Sequence, residues 1–211
     1  MTPLATLLAL SDSRLPTGGH VHSGGVEQAV TEGLVRDLPT LRAYLRRRIR
    51  THGLVTASVA AAVHAGDLGI AQADRETDAR TPAPAARRAS RAQGRGLIRL
   101  ARRVWPDGGW DTLGSTPHLA VAAGAVGAVS SMTPDLTALS LVYTTMTGSA
   151  TAAQRLLALD PGDVAALTFE LSTLCEQTAA EAAKELSDLS DPLLDALAQR
   201  HAQRERPLFV S

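Results

Sequence analysis

Aromatic side chains are nearly missing from this chain, with two each of Trp, Tyr and Phe in 211 residues. A core must therefore be built from Leu, Val and Ala. Small side chains let helices approach closely, and Ala favours helix. Cys175 is the only cysteine. That excludes an internal disulfide framework and fits a reducing compartment. No basic start with an apolar run and a cleavage site opens the chain, so no signal peptide is expected. The longest apolar stretch, Leu119 to Val129, is too short to span a bilayer. A cytoplasmic protein without a membrane partner is the expectation. Net charge is absent too, since 21 basic residues balance 21 acidic ones. Bulk charge thus points to neither nucleic acid nor a membrane surface. The balance hides an asymmetry: residues 1–110 carry 16 Arg against 9 acidic residues, and residues 111–211 carry 5 basic against 12 acidic. Opposite halves of this kind attract each other within one chain, or head to tail between chains.

What is present is helix signal, turn by turn. At 45% hydrophobic content the chain can bury one core. One all-α domain over 1–211, a bundle of about eight to ten helices, is the expected architecture. Leu4 to Leu10 reads as a short helix. The glycine-rich stretch from Leu15 to Glu27 then delivers a helix start. It lacks the lysine and the preceding strand that a phosphate loop requires, because Gly25 stands in the lysine position. His20 and His22 flank a valine, so in an extended segment both rings point to one side. Two imidazoles offer Ni, Cu or Zn only part of a ligand set; the other reading makes them loop residues that bond locally or face a partner. Ser23 is placed to cap the helix that follows. Val26, Ala29, Val30 and Leu34 give that helix an apolar face. Glu27 falls in its first turn, where the helix dipole favours a carboxylate.

The next helix is capped at Asp37 or Thr40 and runs to about Ala65, with Leu38, Leu41, Leu45, Ile49 and His52 on one face. His52 reads as a hydrogen-bonded core histidine, and Val55 to Val63 as deeply buried. A charged segment from Asp74 to Arg80 leads to Pro82 and Pro84, which must interrupt or begin a helix. From Ala85 to Val104 the spacing places Arg88, Arg91, Arg95, Arg99 and Arg102 in one stripe. Leu97, Leu100, Ala101 and Val104 lie opposite. The stripe is an anion-binding face, or a solvated and internally paired one; no aromatic interleaves it for base stacking. Gly124 and Gly127, among alanines, suggest a helix pressed on another backbone. The hydroxyls of Thr144, Thr145, Thr147, Ser149 and Thr151 either bond back into their helix or line a polar channel. A long helix from Asp160 to about Leu189 turns Leu167, Leu171, Leu174, Thr178, Ala182 and Leu186 inward. Cys175 beside that face reads as inert packing. Asp191-Pro192 starts the last helix. The apolar tail 208–211 is expected to order only by docking into a groove, with another protein as the candidate for it.

Several of these stretches together resemble one family. Leu15-Pro16-x-Gly18-x-x-x-x-Ser23-x-Gly25-Val26-Glu27 resembles the N-terminal signature of the urease accessory protein UreF family. Arg91-x-x-Gly94-Arg95-x-Leu97-x-Arg99-Leu100-Ala101 is similar to its middle helix. His118-x-Ala120-Val121-Ala122-x-Gly124 resembles another of its helices. Pro192-x-Leu194-Asp195, His201 and Leu208-Phe209-x-Ser211 resemble its end. The resemblance implies an all-helical protein without catalysis of its own and with no permanently bound cofactor. It also implies a homodimer that binds a UreD/UreH-type accessory protein, recruits the nickel GTPase UreG and engages apo-urease. Proposed roles of the family are to regulate GTP hydrolysis and to pass nickel along an internal tunnel. Carried onto this chain, the tail, about 204–211, docks on the UreD-type partner, and Glu27 with its turn faces the GTPase or the tunnel. The partner-binding set is then Pro16, Gly18, Ser23, Gly25, Glu27, Arg95, His201, Leu208, Phe209 and Ser211. The chain departs from the family's pattern between Leu156 and Gly162, which lacks the usual Pro-Leu-Gly-Gln run. Its Leu208-Phe209 also lacks flanking arginines on both sides. Two competing readings remain: a nickel carrier through His20 and His22, and a nucleic-acid binder through the arginine stripe.

Overall fold

Proline and a short polar side chain set where most of the helices begin. In the computed structural model, which describes residues 2–211, ten α-helices follow one another: α1 (Pro3–Leu10), α2 (Val26–Thr31), α3 (Leu38–Arg48), α4 (Leu54–Ala65), α5 (Ile70–Ala79), α6 (Pro84–Val104), α7 (Leu119–Val129), α8 (Pro134–Leu157), α9 (Pro161–Ala182) and α10 (Pro192–His201). There is no strand among the described residues, and the protein is all-α. Proline opens α1, α3, α6, α8, α9 and α10, where its missing N–H costs nothing. Asp37, Thr133, Asp160 and Asp191 accept the free amides of the helices they precede. Asp37 and Thr40 satisfy each other's backbone in a reciprocal cap.

The scarcity of aromatics shows in the packing. α4 lies against α7, α8 and α9, and α8 lies along α9. Ala57, Val59 and Ala60 of α4 are fully buried. A Cβ on Gly124 of α7 would come within 2.6 Å of the Ala60 carbonyl oxygen, so only glycine lets these two helices meet so closely. Gly127 instead faces the side chains of Thr137 and His64. One apolar group gathers Leu41, Leu45, Ile49, Met146, Leu167, Leu171 and Leu197. A second gathers Val59, Leu97, Ile98, Trp110 and Val121. Leu119 and Ala123 of α7 touch both. Cys175 is buried with its thiol 3.7 Å from the Met146 sulfur, and burial pushes it up to about 11. It is packing rather than a nucleophile.

Four expectations need correction. α2 stops at Thr31, the chain turns at Gly33, and Val35 rather than Leu34 enters the core; Leu34 is exposed. The helix from Leu38 to Ala65 is not uniform, because Ile49–Gly53 widens into a π-helical turn between α3 and α4. Val104 is exposed at the end of α6, where the chain folds back and the Trp110 indole donates to the Trp105 carbonyl. α9 ends at Ala182, not near Leu189. The segment after it is pinned from outside: Arg80 donates to the Ser187 carbonyl and pairs with Asp188, and the Ser187 amide donates to Ser58 Oγ. Those tertiary bonds replace another two turns of helix.

Part of the charge asymmetry is neutralised inside the chain. Arg42 pairs with Glu170, Arg47 with Asp191, Arg80 with Asp188 and Arg102 with Asp111, each joining the basic half to the acidic half. No described helix is long and apolar enough to cross a membrane.

A candidate functional site where the tail meets the opening turn

Glu27 is where the two ends of the sequence meet. It lies in the first turn of α2 but is only 3% exposed. A buried carboxylate must be paired and hydrogen-bonded, and this one is. His201, at the end of α10 and 2% exposed, contacts its Oε2 at 2.7 Å. The backbone amides of Leu208 and Phe209 donate to Oε1 and Oε2 at 2.8 and 3.0 Å. Burial by itself would raise the pKa of Glu27. The His201 hydrogen bond and the two amides outweigh that and hold it below the ordinary carboxylate value. The expected helix-dipole role is thus the smaller part of what Glu27 does.

The tail continues onto the opening turn as a short backbone pairing. The Val210 amide donates to the Val21 carbonyl at 2.7 Å, and the Ser23 amide donates to the Ser211 carbonyl at 2.5 Å. Ser211 Oγ lies 2.6 Å from His22 Nδ1. Phe209 is 7% exposed and joins the larger apolar group, while Leu208 and Val210 on either side of it are 69% and 70% exposed. The groove that orders the tail therefore belongs to this chain.

The remaining predicted residues fall into two sets. Ser23 is fully buried: its Oγ accepts the Glu27 amide at 3.4 Å, and its carbonyl accepts from Ser149 Oγ. Gly25 is buried at the head of α2 with φ 86°. Ser23, Gly25, Glu27, His201 and Phe209 are thus buried within the turn and tail. Pro16, Arg95 and Leu208 are exposed, and Gly18 is half-buried at φ 82°. Arg95 has no ion-pair partner among the described residues. In the arginine stripe, Arg91 is claimed by Asp74 and Asp78, and Arg102 by Asp111, while Arg88 and Arg99 are solvated.

His20 and His22 do not sit in one extended segment. Gly19–Val21 is a single 3₁₀ turn that carries His20 to the surface, and His22 is half-buried against Ser211. Burial first, and His20 second, hold the His22 pKa below its ordinary value. The cluster of potential metal ligands lies elsewhere: Asp74, Asp78 and His118 offer atoms within 4.8 Å of one another. Both carboxylates there already accept from Arg91, and His118 is held between Ser90 and Asp78. A cation would have to displace the guanidinium.

Behind the opening turn lies a cavity of about 630 Å³, bounded by α4, α6, α8 and the tail. The sequence offered a channel wall only at the α8 hydroxyls; the opposite wall is shaped by the π-helical turn, which no hydropathy pattern encodes. Arg48 from the end of α3, with Thr51 and His52 from that turn, lines the wall. His52 is half-buried there, with Thr56 Oγ1 3.5 Å away. Burial and the adjacent Arg48 push it down to about 3, against a smaller opposing effect of Asp191. Thr144 and Thr147 do bond back to the carbonyls of Ser140 and Tyr143. Thr144, Thr145, Thr147, Ser149 and Thr151 also line the cavity.

Comparison with known proteins bears on residues well beyond this site. The UreF family model matches residues 35–172. The urease accessory protein UreF of Mycolicibacterium vanbaalenii is 78% identical over 214 residues, covering 100% of both chains. Those of Mycobacterium sp. strain JLS and Mycobacterium tuberculosis strain H37Ra are 76% and 71% identical over 211 residues, again with 100% of both chains covered.

Proposed function

Because the chain belongs to the UreF family of urease accessory proteins, which support urease maturation, we propose that it is a scaffold assisting nickel insertion into apo-urease. It holds a UreD/UreH-type partner and the nickel GTPase UreG in one assembly as a homodimer in the cytoplasm, and it regulates GTP hydrolysis there. Nickel is cargo in transit, and no cofactor stays bound. The carrying observation is the composite surface of tail and opening turn. Glu27 and His201 fix the tail backbone, Phe209 anchors it, and Leu208 and Val210 stand out to solvent on a backbone already ordered. Preordered apolar side chains bind a partner without the entropy cost of ordering a free tail. Arg95 on α6 gives the GTPase a cation free of internal pairing.

The test is co-purification with the UreD-type partner, UreG and apo-urease. The Leu208→Ala/Val210→Ala variant leaves Phe209 and the Glu27 bonds in place. It should bind the UreD-type partner about tenfold more weakly, as expected when apolar contact residues at an interface core are truncated. Undiminished capture by that variant would remove the tail from the interface.

A further inference from the structure

We propose that the cavity behind the opening turn binds a small anion, a carboxylate or a tetrahedral oxyanion, with Arg48 as its anchor. The lining cations differ in how their charge is met. Arg14 is paired with Asp12, and Arg80 with Glu76 and Asp188. Arg155 is exposed. Arg48 is half-buried in the wall and has no carboxylate within ion-pair distance among the described residues. Asp191, the acid near enough to be felt, is already taken by Arg47, Thr51 and the Leu194 amide. The protein contact of the Arg48 guanidinium is a neutral one, from Nη1 to the Gly24 carbonyl at 2.8 Å, and its buried Nε has no acceptor at all. A guanidinium cannot shed its proton to escape this situation. A half-buried cation with no ion-pair partner of its own is what an incoming anion satisfies, and the planar fork suits a carboxylate or phosphate oxygen pair.

The surroundings fit such a guest. Gly24, without a Cβ, lets the guanidinium lie directly against the backbone of the opening turn. A Cβ there would lie 2.5 Å from Arg48 Nη2 and 2.8 Å from Ser149 Oγ and would push the guanidinium out of place. Next along the π-helical turn, Thr51 and His52 line the same wall. Thr145, facing the cavity from α8, adds a hydroxyl. Asp195 and the C-terminal Ser211 also line the cavity, but neither lies within ion-pair distance of Arg48, so the guanidinium keeps its charge open to a guest.

The site does not depend on the maturation role, and its test uses the purified chain alone. Thermal unfolding is followed against inorganic phosphate and, separately, acetate, with sodium chloride matching ionic strength. A saturable stabilisation by one or both is expected, reduced at least tenfold in apparent affinity in Arg48→Gln. Phosphate alone identifies an oxyanion site, acetate alone a carboxylate site. Stabilisation that is non-saturable, or equal in Arg48→Gln, overturns the proposal. Should Arg48→Gln fail to fold, bromide-soaked crystals of the unaltered chain decide. An anomalous peak against the Arg48 guanidinium supports the site, and its absence overturns it. Loss of partner capture has no bearing on either readout.

Discussion

At the scale of single residues, buried ionisable groups govern how this protein responds to substitution and pH. The Glu27 carboxylate makes three hydrogen bonds, all to the chain's far end: to His201 and to the Leu208 and Phe209 amides. Glu27→Gln keeps the shape but gives up the charge and presents an N–H₂ where an amide or imidazole must be accepted. A loss of about 1–3 kcal/mol is expected from urea unfolding. Because the folded pKa of Glu27 is depressed, its contribution is present above the ordinary glutamate value and fades as pH falls through the folded one. The variant's stability should therefore fall less steeply with acid below about pH 4.3. His52 acts in a higher window. It is held neutral, down to about 3, first by burial and then by Arg48. The unfolded chain takes up that proton from about pH 6.5 downward, and the folded chain does not. Stability should decline as pH drops from 6.5 toward 5, by at most about 1.4 kcal/mol per pH unit for this group. His52→Gln should flatten the decline in urea midpoints over that range, and an unchanged slope would mean His52 is protonated in the native state. His52 was readable as an apolar-face histidine, but its cavity wall and its arginine neighbour were not.

At the scale of elements, close contacts of α6 position the turn. A Cβ on Gly96 would overlap the Thr17 carbonyl, and one on Gly94 the Pro117 carbonyl. Helix propensity alone would make either Gly→Ala change stabilising. Here overpacking should win, costing about 1–3 kcal/mol. Gly148, in the middle of α8, has nothing within 4 Å of its Cβ position. Gly148→Ala should raise stability by up to about 1 kcal/mol. Thermal unfolding of the variants separates the two cases, and a stabilised Gly96→Ala would show that α6 can back away from the turn. Helix starts were legible because Asp37, Asp160 and Asp191 stand before proline or an apolar run. The end of α9 was not, because Arg80 and Ser58, far away in sequence, decide it.

Across the whole molecule, the tail is part of the fold before it is part of any interface. Deleting residues 207–211 removes Phe209 from the core and leaves Glu27 without two donors. A destabilisation of about 3 kcal/mol is expected from urea unfolding, near the lower end of the cost of emptying a buried phenylalanine site. Loss of partner capture by that truncation would mix folding with binding, whereas the Leu208→Ala/Val210→Ala variant separates them. Were the truncated chain as stable as the intact one, the docked tail would contribute nothing to the native state. The basic and acidic halves meet chiefly through internal pairs, and these are mostly surface pairs worth little individually. Their arrangement leaves Arg88, Arg95 and Arg99 as the solvated remainder of the stripe.

The sequence by itself determined the helical class, most helix starts, the alanine-rich burial of α4 and, through its ordered motifs, the family. Each of these rests on local chemistry: propensity, capping, periodicity and residue order. Only the tertiary structure decided that the tail docks on its own chain, that Glu27 is buried under it, and that Arg48 faces a cavity. Those features depend on contacts between residues more than a hundred positions apart, and on one π-helical turn that shifts which side chains share a face. A one-dimensional pattern carries neither, because backbone donors such as the Leu208 and Phe209 amides have no signature in residue type.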